Sequence, residues 1–185
     1  LEYRTVSDAC QRGPTQWPLI IALGAALSVC FLSAYMLANG QTSVAAELLT
    51  MGAKVDDWVN DGEGWRLVLS SWLHADTHHL LVNVLWLIVL GRILRDRIGE
   101  DGVFATWVLG AFGGQCLSYI ANTGASVGAS GGVAALFAQT LSLYYGLWAQ
   151  LTWRVRLGLI LGTIAAATML FVAPNATHQV DHSAH

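Results

Sequence analysis

Apolar positions cluster into membrane-length runs separated by short polar breaks. Trp17–Ala38 is close to the about 20 apolar residues that a spanning helix needs. It is too long and too far from the chain start for a signal peptide. A polar stretch follows at Gly40–Gly64, holding Glu47, Asp56, Asp57, Asp61 and Glu63, and then a short apolar segment at Arg66–Leu73. His79–Leu94 predicts a second, short span with a polar beginning, Val103–Ile120 a third, Ser130–Trp148 a fourth and Val155–Val172 a fifth. After a loop with Pro174 and Asn175, Asp181–His185 reads as the first turn of a sixth helix. The pattern predicts an all-α, polytopic transmembrane bundle in one domain, with no internal repeat.

Composition agrees with that pattern. Of 185 residues, 55% are hydrophobic and 11% charged, against about 25% charged in soluble domains. No basic stripe suggests nucleic acid. Cys10, Cys30 and Cys116 lack metal-like spacing, so neither a disulfide framework nor a zinc site is expected. His74, His78, His79 and Asp76 show no spacing that would close a metal site either. Asn175-Ala176-Thr177 fits the glycosylation triplet, a frequent chance match. The chain begins at Leu1 and stops at His185 in mid-pattern, so both ends look cut.

The arginines orient the spans. Arg4 and Arg12 precede the first, Arg92, Arg95 and Arg97 follow the second, and Arg154 and Arg156 follow the fourth. If the spans alternate, these lie on one side, and the positive-inside rule makes it the cytoplasm. Lys54 and Arg66 fall on the other side, among acids. The loops at 40–66, 121–129 and 173–181 then face out, and all six histidines lie near that outer side.

Ser130 begins the fourth span at the same level, inside the small-residue run "NTGASVGASGG". Two readings compete there. Small residues let helices pack closely, or they clear space around a nucleophile. A serine hydroxyl needs a base, usually histidine, and the oxyanion it creates needs donors in place. A helix N-terminus supplies unpaired backbone N–H groups and the positive end of the helix dipole. Gly128, Gly131 and Gly132 would permit a tight backbone and a close substrate. His79 and Asn83, four apart, share one helix face and can donate into one pocket. They can also serve as a purely structural interhelical hydrogen bond. His185 can reach Ser130 across a helix interface, and His182, three residues earlier, is the rival base. His74, His78 and His178 are expected at the interface, and Trp65-Arg66 in loop structure and headgroup contact.

These pieces resemble the rhomboid family of intramembrane serine proteases. Trp65-Arg66 resembles the Trp-Arg of that family's first outer loop. "HADTHHLLVN" resembles its His-x-x-x-Asn, giving His79 and Asn83. "GASG" at 128–131 resembles its Gly-x-Ser-Gly, giving Ser130 flanked by Gly128 and Gly131. "DHSAH" resembles the start of its sixth helix, giving His185. The resemblance implies a six-span bundle, truncated in its sixth span, with residues 1–16 as a cytoplasmic segment and 17–185 as the protease domain, incomplete at its C-terminus. It implies a Ser130–His185 dyad, oxyanion stabilisation by His79 and Asn83, and no metal or cofactor. Its substrates would be membrane proteins cut within or near a transmembrane helix that unwinds easily. The short layout points to a bacterial plasma membrane, with the active site opening outward.

One departure stands out: Ala134 occupies the place of an aromatic that packs on the base in many family members, leaving Trp72 or Tyr119 as candidate supports. Two rival functions follow from the same residues. A client-binding protein without catalysis would lack the nucleophile–base pair, and both members are present. A transporter would show repeats or acids inside its spans, and neither is seen.

Overall fold

The computed structural model describes residues 18–38, 43–121 and 124–146, together with residues 149, 152, 153, 156, 157 and 160. Six α-helices are complete within these bounds: α1 (Pro18–Ala38), α2 (Val44–Met51), α3 (Asp56–Asn60), α4 (Arg66–Leu69), α5 (Thr77–Ile120) and α6 (Ser130–Gly146). A 3-10 turn at Ser70–Trp72 continues α4. Among the described residues there is no strand, and the sole β feature is an isolated antiparallel bridge between Lys54 and Ser126.

Among the described residues two helices, α1 and α5, are long and apolar enough to cross a membrane. The 44 residues of α5 would extend about 66 Å as one straight rod, more than twice the hydrocarbon core. Gly99 breaks it, with φ 76° and ψ 169°. The stretches before and after the break are each of membrane length. The sequence pattern left residues 95–102 between the second and third spans, because it followed apolar residues alone. The break falls in that gap, but Arg95 and Arg97 lie on further helical turns before it, with Arg95 paired to Asp96. Arginine is a good helix former, so the helix runs on past the apolar run until a glycine takes a backbone conformation that other residues avoid.

The outer faces of the long helices carry Ile21, Val29, Leu85, Leu109 and Leu117 exposed, as expected where lipid is the solvent. Hydroxyls inside these helices are satisfied locally. Ser28, Thr106 and Thr140 each donate to the carbonyl four residues back, which removes the cost of an unpaired group in hydrocarbon. The main core joins α1, both parts of α5 and α6 through Leu27, Leu87, Leu94, Val103, Trp107 and Leu136. Gly131 sets the α5–α6 approach. A Cβ there would lie 2.7 Å from the Gly110 carbonyl oxygen and 3.1 Å from the Gly114 Cα. A second cluster packs Ala34, Leu48, Ala53 and Leu73.

The 43–73 segment is not a plain polar loop. Ser43 caps α2, its hydroxyl accepting from the Ala46 N–H at 3.2 Å. The two basic residues of the segment are both buried. The Lys54 ammonium pairs with Asp56, and the Arg66 Nε pairs with Glu63. Arg66 also donates through Nη1 to the carbonyls of Leu49 and Ala53, at 2.7 and 3.1 Å. Its guanidinium lies over the rings of Trp58 and Trp65, 4.4 and 4.5 Å from their centroids. The expected headgroup contact of Arg66 is therefore wrong. The side chain turns inward because two helix-end carbonyls, a carboxylate and two aromatic faces together replace its water.

Candidate active site

Ser130 is the first residue of α6, at the end of an irregular segment. The first turn of a helix presents backbone N–H groups that have no partner within the helix. The residues before Ser130 are held by several hydrogen bonds. The Lys54 N–H donates to the Ser126 carbonyl at 3.0 Å and the Ser126 N–H to the Lys54 carbonyl at 2.9 Å. The Gly128 N–H donates to the Ser70 carbonyl at 2.9 Å. The Gly124 N–H donates to Oδ2 of Asp56 at 2.7 Å. On the helix side, the Ser126 hydroxyl donates to Oε1 of Gln115 at 2.8 Å.

His79 comes from the first turn of α5, where the Asp76 carboxylate caps the helix by accepting the His79 N–H at 2.8 Å. Its imidazole lies against Gly128, which has φ 130°. A Cβ at Gly128 would stand 2.5 Å from Cε1 and 2.8 Å from Nε2 of His79. Glycine is required here twice over, by backbone conformation and by the ring beside it. Asn83 sits one turn further along, buried, its Nδ2 donating to the His79 carbonyl at 2.9 Å. A carboxamide carries two N–H donors, so the bond to its own helix does not exhaust Asn83.

The structure thus brings Ser130, Gly128, His79 and Asn83 to one end of the bundle. Gly131 and Gly132 do something different from what was expected. The space beside them is filled by α5, with Trp107 Cδ1 2.6 Å from where a Cβ of Gly132 would sit. Their smallness serves helix packing, while at Gly128 the missing side chain leaves room for the His79 ring. His178, His182 and His185 lie outside the described residues. Among the candidate supports for the base, Trp72 packs edge-on against Trp107, ring centroids 5.2 Å apart, and the Tyr119 hydroxyl donates to Asn60. Among the described residues, no group of three or more His, Cys, Asp or Glu side chains is arranged to hold a metal.

His74 was expected at the interface and is instead fully buried, its ring edge-on to His79 with centroids 5.1 Å apart. Burial, with His79 alongside adding to it, pushes its pKa from 6.5 down to about 3. Its imidazole is neutral at physiological pH. His78, three residues before Leu81 on the outer side of α5, is exposed as expected. Gln115, a buried amide in the middle of an apolar run, was missed. Its signal was present in the sequence, since a strongly polar side chain at membrane depth marks a function by default.

A helical membrane protein in which a histidine is packed beside a glycine, two residues ahead of a serine that starts a helix, is the class that these elements define. Residues 61–185 match the family model described as Rhomboid domain. The chain belongs to the rhomboid family. Relatives include RHOMBOID-like protein 4 of Arabidopsis thaliana, 37% identical over 103 residues, which are 55% of this chain and 26% of that protein. RHOMBOID-like protein 5 of the same plant is 31% identical over 141 residues, 75% of this chain and 45% of that protein. An uncharacterised protein of Mycobacterium bovis is 29% identical over 116 residues, 60% of this chain and 48% of that protein. The chain spans between about a quarter and about half of the length of these relatives. Membership and the apolar helices make it an integral membrane protein.

Proposed function

We propose that this protein is an intramembrane serine endopeptidase that cleaves transmembrane segments of membrane-protein substrates. The observation that carries the reading is the packing of His79 against Gly128 at the point where α6 begins with Ser130. In this mechanism the Ser130 Oγ attacks the scissile carbonyl while His185 takes its proton as general base. The proton then passes to the leaving amine as the C–N bond breaks. Water, activated by the same histidine, releases the acyl group and regenerates the serine. The oxyanion is met by the Ser130 backbone N–H, the His79 ring and the second N–H of Asn83. No cofactor is required for this chemistry.

The surrounding architecture is part of the proposal. Residues 17–185 form the protease domain of a six-span bundle, and residues 1–16 lie in the cytoplasm. The site opens to the outer side of a bacterial plasma membrane through a water-bearing cavity, where irregular backbone at membrane depth is tolerated. The opposing reading is a rhomboid protein that binds membrane clients without cutting them, and one experiment separates the two. Ser130→Ala in the full-length protein should abolish cleavage of a model transmembrane substrate while the folded yield stays unchanged. A fluorophosphonate should label the unaltered protein and not the variant. Cleavage that survives Ser130→Ala would refute the mechanism, and a folded, unlabelled wild type would favour client binding.

A further inference from the structure

The irregular segment before Ser130 is joined to the 43–73 segment by one side chain in particular. The Asp56 carboxylate is buried and has two oxygens with two different tasks. Oδ1 takes the ammonium of Lys54, which is itself fully buried. Oδ2 takes the backbone N–H of Gly124 at 2.7 Å. Lys54 meanwhile lies on the bridge to Ser126, through 3.0 and 2.9 Å backbone hydrogen bonds. The ion pair therefore fixes the carboxylate on the same residue whose main chain grips the segment two positions further on. Gly124 carries φ 76° and has nothing within 4 Å of a would-be Cβ, so packing contributes little at that point and the hydrogen bond to Asp56 holds it.

We propose that Asp56, aimed by Lys54, is a positioning residue for the nucleophile. It anchors the segment at Gly124 so that the 124–129 backbone delivers Gly128 against His79 and Ser130 at the start of α6. The proposal rests on reading Ser130 as the nucleophile. A clamp of this kind acts on the geometry of attack rather than on the affinity for substrate, so its loss falls on kcat and not on KM.

Removing one charge alone would strand its buried partner, so the test uses neutral pairs. Lys54→Met with Asp56→Asn keeps an oxygen acceptor for the Gly124 N–H. Lys54→Met with Asp56→Leu does not. In the full-length protein, cleaving a model transmembrane substrate, the Leu pair should lose about 10- to 100-fold in kcat relative to the Asn pair, with KM within about twofold. The same difference should appear in the rate of fluorophosphonate labelling. Equal kcat in the two pairs, or a loss confined to KM, overturns the proposal.

A second measurement needs no foldable variant. Amide hydrogen exchange of peptides covering 124–128 should be slow in the unaltered protein, and fast exchange there would overturn the clamp. Ser130→Ala run in parallel keeps the two failures apart. If that variant still cleaves, the nucleophile reading fails, while the exchange result continues to decide the clamp.

Discussion

Gly128→Ala is the sharpest perturbation available, because two independent costs can be worked from the structure. The first is conformational. Gly128 has φ 130°, and a residue with a Cβ held in such a sparsely populated region costs on the order of 1–3 kcal/mol. The second is steric. The new methyl would stand 2.5 Å from Cε1 of His79, where ordinary carbon contacts begin near about 3.5 Å. Either the imidazole or the segment before Ser130 must move by about 1 Å. A misplacement of that size at reacting groups costs about 100-fold in rate. Gly62→Ala isolates the first cost, since Gly62 has φ 105° and nothing within 4 Å of a Cβ. Both variants should be less stable in detergent. Gly128→Ala alone should lose about two orders of magnitude in cleavage of a transmembrane substrate and in labelling of Ser130 by a fluorophosphonate. Gly62→Ala should keep wild-type turnover in the fraction that remains folded. If Gly128→Ala matched Gly62→Ala in turnover, the His79–Gly128 contact would have no part in the chemistry.

Two more predictions concern the buried polar groups. His74 has a folded pKa of about 3 against 6.5 when unfolded, so the unfolded state binds the extra proton first. Stability should be intact above pH 6.5 and should fall by about 1.4 kcal/mol per pH unit on acidification through the window down to about 3. Thermal unfolding in detergent between pH 7 and 4 should show at least that slope, since burial lowers the pKa of His79 as well, and His74→Phe should lose the His74 share; an unchanged slope in the variant would refute the assignment. Arg66→Lys should cost about 2–3 kcal/mol despite keeping the charge, because an ammonium cannot serve Glu63, Leu49 and Ala53 from one fork. A thermal midpoint within about 1 °C of wild type would show that the fork geometry is irrelevant.

Much of this fold is legible in the chain because the bilayer imposes a length. Trp17–Ala38 and Val103–Ile120 are apolar for about the distance a span requires, and the structure places helices at Pro18–Ala38 and through Val103–Ile120. Between the spans expected at His79–Leu94 and Val103–Ile120 the chain stays helical except at Gly99, because hydropathy reports where a helix leaves lipid, while propensity and glycine decide where it ends. The placement of the candidate residues was legible from helical spacing, which puts His79 and Asn83 on successive turns of α5, and from the small-residue run that ends where Ser130 starts α6. What holds the site was not. Lys54 and Asp56 stood as charges in a polar stretch, and His74 as an interfacial histidine. The burial of Lys54 and Asp56 comes with contacts between segments some 70 residues apart, such as Asp56 with Gly124, and no local pattern encodes such a contact.

The two basic residues that break the arginine pattern explain each other. In a count of charges, Lys54 and Arg66 weaken the orientation drawn from the other arginines. In the folded chain both are buried and paired with acids, so they act as structural ties and carry little weight as topological signals. The need for such ties follows from the serine. A serine at a helix start is preceded by non-helical backbone, and where that backbone is buried each N–H and C=O needs a partner. The described helices bond internally and have few groups to spare. Most of the partners come from the 43–73 segment, through the Lys54 main chain, the Ser70 carbonyl and the Asp56 carboxylate, and α5 adds Gln115, whose Nε2 donates to the Gly128 carbonyl at 3.5 Å. Arg66 fixes that segment in turn by holding the carbonyls of Leu49 and Ala53, the latter next to Lys54. The chain of support therefore runs from Arg66 through Lys54 and Asp56 to Gly124 and the residues that present Ser130. A buried arginine and a buried lysine thereby keep the unwound segment before Ser130 ordered.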